Sequence, residues 1–215
     1  MKTKLFYITI LTTTILLQNC ANKNEKKLEK IDTTIAQKET ETIAKPQKAV
    51  VINLADTIEN KWTVLCFKDS SKTEEGMVAK LTAIYNTKLP EAIKANKLKI
   101  MGSPMAWHTM QKTAYFFEAG IPVDKAPTKI TKGIYTKNTG TDSAYVAHFF
   151  GPTNLTKGAY QALQEKLTEN HKIKSNNIYE VYIGNPFQNT TEALDAYKLQ
   201  TDIILPFKKQ NNLGL

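Results

Sequence analysis

A single carboxylate stands among rings near the end of the chain. In Ile178-Tyr179-Glu180-Val181-Tyr182-Ile183, strand-forming residues flank an acid. Alternation along a strand puts Ile178, Glu180 and Tyr182 on one face and Tyr179, Val181 and Ile183 on the other. A carboxylate bordered by aromatic faces suits a lipophilic cation. The two charges attract, and each ring face adds about 0.5–2 kcal/mol of cation–π attraction. Residue types alone favour a plainer reading, a solvent-facing strand residue paired with one of many lysines. Other chemistries find less to work with. His108, His148 and His171 lack the spacing with further donors that a metal site needs, so no metal is expected. Neither a phosphate loop, a dinucleotide fingerprint, a serine-nucleophile turn nor a paired-cysteine zinc motif is present, and no cofactor is expected. Cys66 lies in an apolar run and reads as a small buried hydrophobe.

The charge pattern narrows the partners. The 215 residues carry a formal charge of +9, and the 29 basic residues are all lysine. Base-edge reading of DNA relies on the bidentate arginine fork, so nucleic acid is not an expected partner. A lysine-only surface fits solubility or attraction to anionic headgroups. Hydrophobic residues make up 41%, enough for one ordinary domain with its own core.

The N-terminus reads as an export signal. Lys2 and Lys4 precede a mostly apolar run from Leu5 to Leu17, too short to span a bilayer and of the length of a signal-peptide core. It ends Leu17-Gln18-Asn19-Cys20, which resembles a bacterial lipobox, in which the cysteine becomes the first mature residue and carries acyl chains. Asn19 is larger than the small residue usual before that cysteine. Residues 1–19 are thus expected to be a signal peptide and Cys20 a lipid anchor. Lipidation of Cys20 would leave Cys66 without a disulfide partner. Residues 20–55 are expected to be a disordered tether, because the stretch to Pro46 is polar, charged and without aromatics.

A repeat follows. Trp62–Lys68 is a strand. Met77, Val78, Leu81, Ile84, Tyr85 and Leu89 form a helical stripe that Pro90 should kink or restart. Met105–Met110 and Thr113–Ala119 are strands, the second ended by Gly120-Ile121-Pro122. The order then recurs: a lead-in strand over residues 129–137, strand Ser143–Phe150, a helix capped by Thr156 with Ala159, Leu163 and Leu167 inward, and strands Ile178–Ile183 and Leu199–Phe207. Each half reads strand, helix, strand, strand, and Trp107 falls near the place of Glu180.

These motifs carry a resemblance. Tyr145-Val-Ala-His-Phe-Phe-Gly-Pro152, a helix, then Ile178-Tyr-Glu-Val-Tyr-Ile-Gly-Asn-Pro186 resembles the GyrI-like small-molecule-binding domain, also the effector-binding half of AraC-type and multidrug-sensing regulators. Glu118-Ala-Gly-Ile-Pro-Val123 is similar to the short motif that closes the first half in that family. The resemblance implies an α+β domain over residues 56–215. In it, two pseudo-twofold-related repeats form a curved antiparallel sheet with two helices behind it. It further implies a cleft that binds flat, often cationic molecules, with Glu180 facing the pocket. The candidate ligand-binding rings are Trp107, Tyr145, Tyr182, Phe117 and Phe150, with Tyr115 beside them. One register error would turn them all to the other face.

Three readings follow. The first is a monomeric envelope lipoprotein, on the periplasmic side of the outer membrane, that binds a small amphipathic and possibly cationic organic molecule. The second is a hydrolase that opens an electrophilic ring, with Glu180 as general base. The third is an interaction lipoprotein with a filled, vestigial cleft and Glu180 exposed.

Overall fold

Strand formers cluster where a sheet is built, and two runs of helical periodicity supply its cover. The computed structural model describes residues 48–111, 113–129, 132–188 and 194–209. The signal, Cys20 and the segment up to residue 47 lie outside them. In chain order come β1 (Val51–Ile58), β2 (Thr63–Ser71), α1 (Glu74–Ala83), a π-helical turn (Ile84–Lys88), α2 (Leu89–Asn96), β3 (Met105–Gln111), β4 (Ala114–Val123), β5 (Ile134–Asn138) and β6 (Ser143–Phe150). After these come α3 (Lys157–Glu169), β7 (Lys172–Lys174), β8 (Tyr179–Tyr182) and β9 (Gln200–Lys209). The architecture is α+β, an open antiparallel sheet of nine strands with two helical regions.

The sheet order is β1-β6-β9-β8-β3-β4-β2-β5, with β7 added on β9. The order is symmetric about the contact of β3 with β8, as the repeat requires. Each lead-in strand crosses over: β1 precedes the first half but pairs with β6 of the second, and β5 precedes the second half but pairs with β2 of the first. β1 begins at Val51, inside the stretch that composition reads as tether to residue 55. Most of its residues are exposed or half-buried, so its sequence carries almost no core signal.

One face of the sheet packs on the helices. Leu65, Phe117, Ala119 and Ile121 meet Leu81, Ile84, Tyr85 and Leu89 from the first helical region. Tyr145, Ala147, Phe149, Ile203 and Leu205 meet Ala159, Leu163 and Leu167 of α3. Each such fully buried aliphatic side chain contributes roughly 1.5–3 kcal/mol of transfer free energy. The opposite face carries its own cluster of Val64, Cys66, Met105, Trp107 and Tyr179. Val64, Leu65 and Cys66 are therefore all fully buried in succession, as in a central strand covered on both faces.

Local chemistry explains the ends of the elements. Thr73 caps α1: its side-chain oxygen accepts from the Gly76 amide at 3.1 Å, and Glu74 and Glu75 complement the helix dipole. Pro90 does not break the helix. It sits in the first turn of α2, and the π-helical turn before it absorbs the missing donor and the ring. Thr156, expected to cap α3, is instead helical in backbone and donates to the Thr153 carbonyl at 3.1 Å, because a 3₁₀ turn over Thr153–Leu155 already leads into the helix. Gly120-Ile121-Pro122, expected to end β4, lies within it. The Pro122 carbonyl accepts from Met101 rather than from β2, so the side of the strand without an N–H faces away from the β2 ladder. Gly120 is required there: a Cβ would stand 2.6 Å from Val64 Cγ1.

Candidate functional site

β8 brings Glu180 to the middle of the sheet, opposite Ala106 of β3 and Ile203 of β9, on the helix-covered face. The parity expected for Ile178-Tyr-Glu-Val-Tyr-Ile holds: Glu180 and Tyr182 point one way, Tyr179 the other. Because α1 and α3 each cover only their own half, a cleft of about 460 Å³ remains between them, with Glu180 and Tyr182 at its floor. Met77, Val78 and Leu81 of α1, Tyr160 of α3 and Tyr115 of the β3–β4 hairpin line it. The volume falls in the range of pockets that take drug-sized ligands.

Glu180 is 5% exposed and fully partnered. Tyr160 donates to Oε1 at 2.8 Å and Tyr182 to Oε2 at 2.7 Å. His108 Nε2 lies 3.3 Å from Oε2 and 3.1 Å from the Tyr182 hydroxyl. Burial pushes the Glu180 carboxyl upward. The adjacent His108 and the hydroxyls of Tyr182 and Tyr160 outweigh that and hold it below the ordinary carboxylate range. The same carboxylate and the same burial drive the neighbouring phenols the other way: Tyr182, Tyr85 and Tyr160 all lose acidity. Tyr85 fixes the floor from below. Its hydroxyl donates to the Met105 carbonyl at 2.5 Å, and its ring meets Tyr182 edge-on at 6.3 Å. His108 Nδ1 is buried without a hydrogen-bond partner among the described residues.

The other sequence candidates are dispersed. Trp107 is on the opposite face, since Ala106 and not Trp107 pairs with Glu180. It stacks on Tyr179 at 5.4 Å, with Lys137 over its ring at 3.9 Å. The half-to-half match of Trp107 with Glu180 is thus one residue out of phase. Its neighbour His108 shares the Glu180 face. Phe117 is 2% exposed within the core under α1. Trp107 and Phe117 both border a neighbouring cleft of about 550 Å³, where His108 forms part of the wall shared with the Glu180 cleft. Tyr145 is buried under α3, its ring 4.3 Å from that of Phe207. Phe150, at the end of β6, pairs with Val51 and Gln200 and lines none of these clefts. His108, Tyr160 and Tyr85 escaped the sequence reading. No local spacing signals His108, which meets Glu180 only through the pairing of β3 with β8.

A further acid and a thiol are settled by their neighbours. Burial raises the Glu118 carboxyl, but Lys137 at 2.8 Å and Lys68 at 3.2 Å reverse this and hold it below its usual range. Burial pushes the Cys66 thiol up to about 12, which leaves it unreactive. Among the described residues no group of three or more His, Cys, Asp or Glu is placed to hold a metal, and no helix is long and apolar enough to cross a membrane.

No known family model matches the sequence, and no curated protein is similar to it in sequence. Solved structures are similar in fold. The EcmrR C-terminal domain shares 17% identity and a TM-score of 0.62, over 74% of this chain and 99% of that domain. EcmrR in its complex with DNA and the open promoter complex matches at 16% identity and TM-score 0.62, over 74% of this chain. The chain spans only 58% of that longer protein. A conserved protein from Listeria innocua matches at 10% identity and TM-score 0.50, over 72% of this chain and 92% of that one. At these identities the likeness establishes the fold, which is the one the GyrI-like motifs imply.

Proposed function

We propose that the protein is an envelope lipoprotein that binds a flat, amphipathic organic molecule, preferentially a cation, in the cleft over Glu180. One observation carries this: a carboxylate kept ionised at the floor of an apolar, tyrosine-lined cleft that is open between two helices. The cleft is unfilled and Glu180 is buried, which argues against a vestigial site. A carboxyl held below its ordinary range is also poorly suited to serve as a general base near neutral pH, so binding is favoured over hydrolysis. The cation preference follows from charge balance. An organic cation answers the charge of Glu180 at the cleft floor, which a neutral ligand of the same shape does not.

The probes are N-methylacridinium and neutral acridine, compared by calorimetry. The cation is expected to bind more tightly. Glu180→Gln should weaken the cation by about 1–3 kcal/mol and leave acridine nearly unchanged. Equal losses for both would reduce Glu180 to a shaping role. No loss for either would place the site elsewhere.

The anchor is part of the same proposal and rests on the apolar run that stops at Cys20. Cys20→Ser is expected to yield soluble protein or uncleaved precursor. A variant processed and retained in membranes like the parent would defeat the anchor reading.

A further inference from the structure

The sheet face turned away from the helices holds a second cavity, of about 240 Å³. β8 divides it from the Glu180 cleft, because Tyr179 and Val181 point into it while Glu180 and Tyr182 point to the helices. Trp62, Met105, Val146, Tyr179 and Ile204 give it apolar and aromatic walls. Glu59, just past the end of β1, also lines it. This residue is 5% exposed, and its Oε2 has no hydrogen-bond partner among the described residues. The carboxyl packs against the loop after β5, where a Cβ on Gly140 would stand 2.7 Å from Oε2. Burial raises the Glu59 carboxyl above its ordinary range, against the pull of the Tyr179 hydroxyl.

The charges around this cavity point to its occupant. Among the described residues no lysine lines the cavity. The basic group that does, His148, already lies 2.7 Å from Asp202, which also accepts from Gln200 at 2.7 Å. Among the described residues, Glu59 is thus a buried acid that meets the Tyr179 hydroxyl and the Gly140 and Asp142 backbone but no unpaired basic side chain in the cavity. Such a group either holds a proton or awaits a cation. The aromatic walls reward a cation that carries an apolar body. The volume lies below the roughly 300–1,000 Å³ typical of drug-sized ligands, so the occupant is compact.

We propose that this cavity is a second ligand site, separate from the Glu180 cleft, which takes a compact organic ammonium ion with Glu59 as counter-ion and Trp62 and Tyr179 as ring walls. The test titrates benzylammonium and its neutral analogue benzyl alcohol into the ¹⁵N-labelled full chain in detergent, following the Trp62 indole N–H. Benzylammonium is expected to shift that signal saturably and to show nuclear Overhauser contacts with Trp62 and Tyr179. Glu59→Gln should weaken it about tenfold or more, the scale of a lost charge-assisted contact, with benzyl alcohol unaffected. Glu180→Gln should leave it within about twofold, because that residue lies across the sheet and additivity holds for separate sites. The proposal is overturned if parent and Glu59→Gln bind benzylammonium equally, or if the response is confined to the Glu180 cleft. It is also overturned if Trp62 does not respond up to about 20 mM, a concentration beyond millimolar affinity. The contacts to Trp62 and Tyr179 are read on the parent protein, so a variant that fails to fold does not remove the test.

Discussion

Glu180 and Glu59 are equally hidden, each 5% exposed, yet their protons are pushed in opposite directions. Glu180 has two phenols and an imidazole around it and is held ionised. Glu59 has one phenol and the Gly140 and Asp142 backbone around it, with the Asp142 carboxylate adding repulsion, and burial wins. Desolvation acts on both, so the charge of the neighbours decides the outcome. One strand supplies both surroundings: Tyr182 of β8 serves Glu180 and Tyr179 serves Glu59, on opposite faces.

The sharpest way to break this contrast is to delete the acid that is satisfied. Glu180→Ala leaves His108, Tyr160 and Tyr182 buried without their shared acceptor. A loss of about 3–5 kcal/mol in urea unfolding is expected, as for other broken buried pairs. A loss under about 1 kcal/mol would mean that water replaces the carboxylate.

The pH dependence separates the two acids by sign. The folded pKa of Glu180 lies below its unfolded value. Its stabilisation is therefore complete above pH of about 4.5 and is lost as pH falls through the folded pKa. The folded pKa of Glu59 lies above its unfolded value, so its cost is absent below pH of about 4.5 and grows as pH rises through the folded pKa. Stability differences between the parent and Glu180→Gln, and between the parent and Glu59→Gln, measured from pH 3 to 8, are expected to slope in opposite directions. Parallel slopes would erase the distinction.

A smaller effect is expected from Tyr160→Phe, which removes one of the three donors. Stability should fall by about 1 kcal/mol, and the Glu180 carboxyl, followed by ¹³C NMR, should titrate at higher pH. An unchanged titration would assign the lowered pKa to His108 and Tyr182 alone. The smallest effect is expected from removing residues 21–47 of the mature chain, whose polar composition offers little to bury. The unfolding midpoint should move by no more than about 2–4 °C, the shift for 1 kcal/mol in a domain of this size.

Much of this arrangement could be read from residue order, and the failures have physical causes. β6 matched the expected Ser143–Phe150, since its residues are buried in near-continuous succession between β1 and β9. The face of Glu180 followed from simple alternation. β1 was missed because an edge strand with one row of half-buried residues has the composition of a tail. The face of Trp107 could not be read from the sequence, because period two gives relative parity within a strand, while absolute parity depends on register with a distant strand. For the same reason His108 stayed hidden. It meets Glu180 only through the pairing of β3 with β8, and no local spacing encodes that contact.

The exchanged lead-in strands bear on the order in which the chain assembles. β5 emerges soon after β4 and finds β2 already made. β1 is synthesised first of all the strands but pairs only with β6, so Val51 must wait for Phe150. Until then Val51, Leu54 and Ile58, all exposed even when the strand is docked, sit on an unpaired ribbon open to any other strand edge. The first half can close early with β5, whereas β1 has no partner until β6 is made. Closure of β1 onto β6 is a late, long-range event, and topology of that kind slows folding more than it lowers stability.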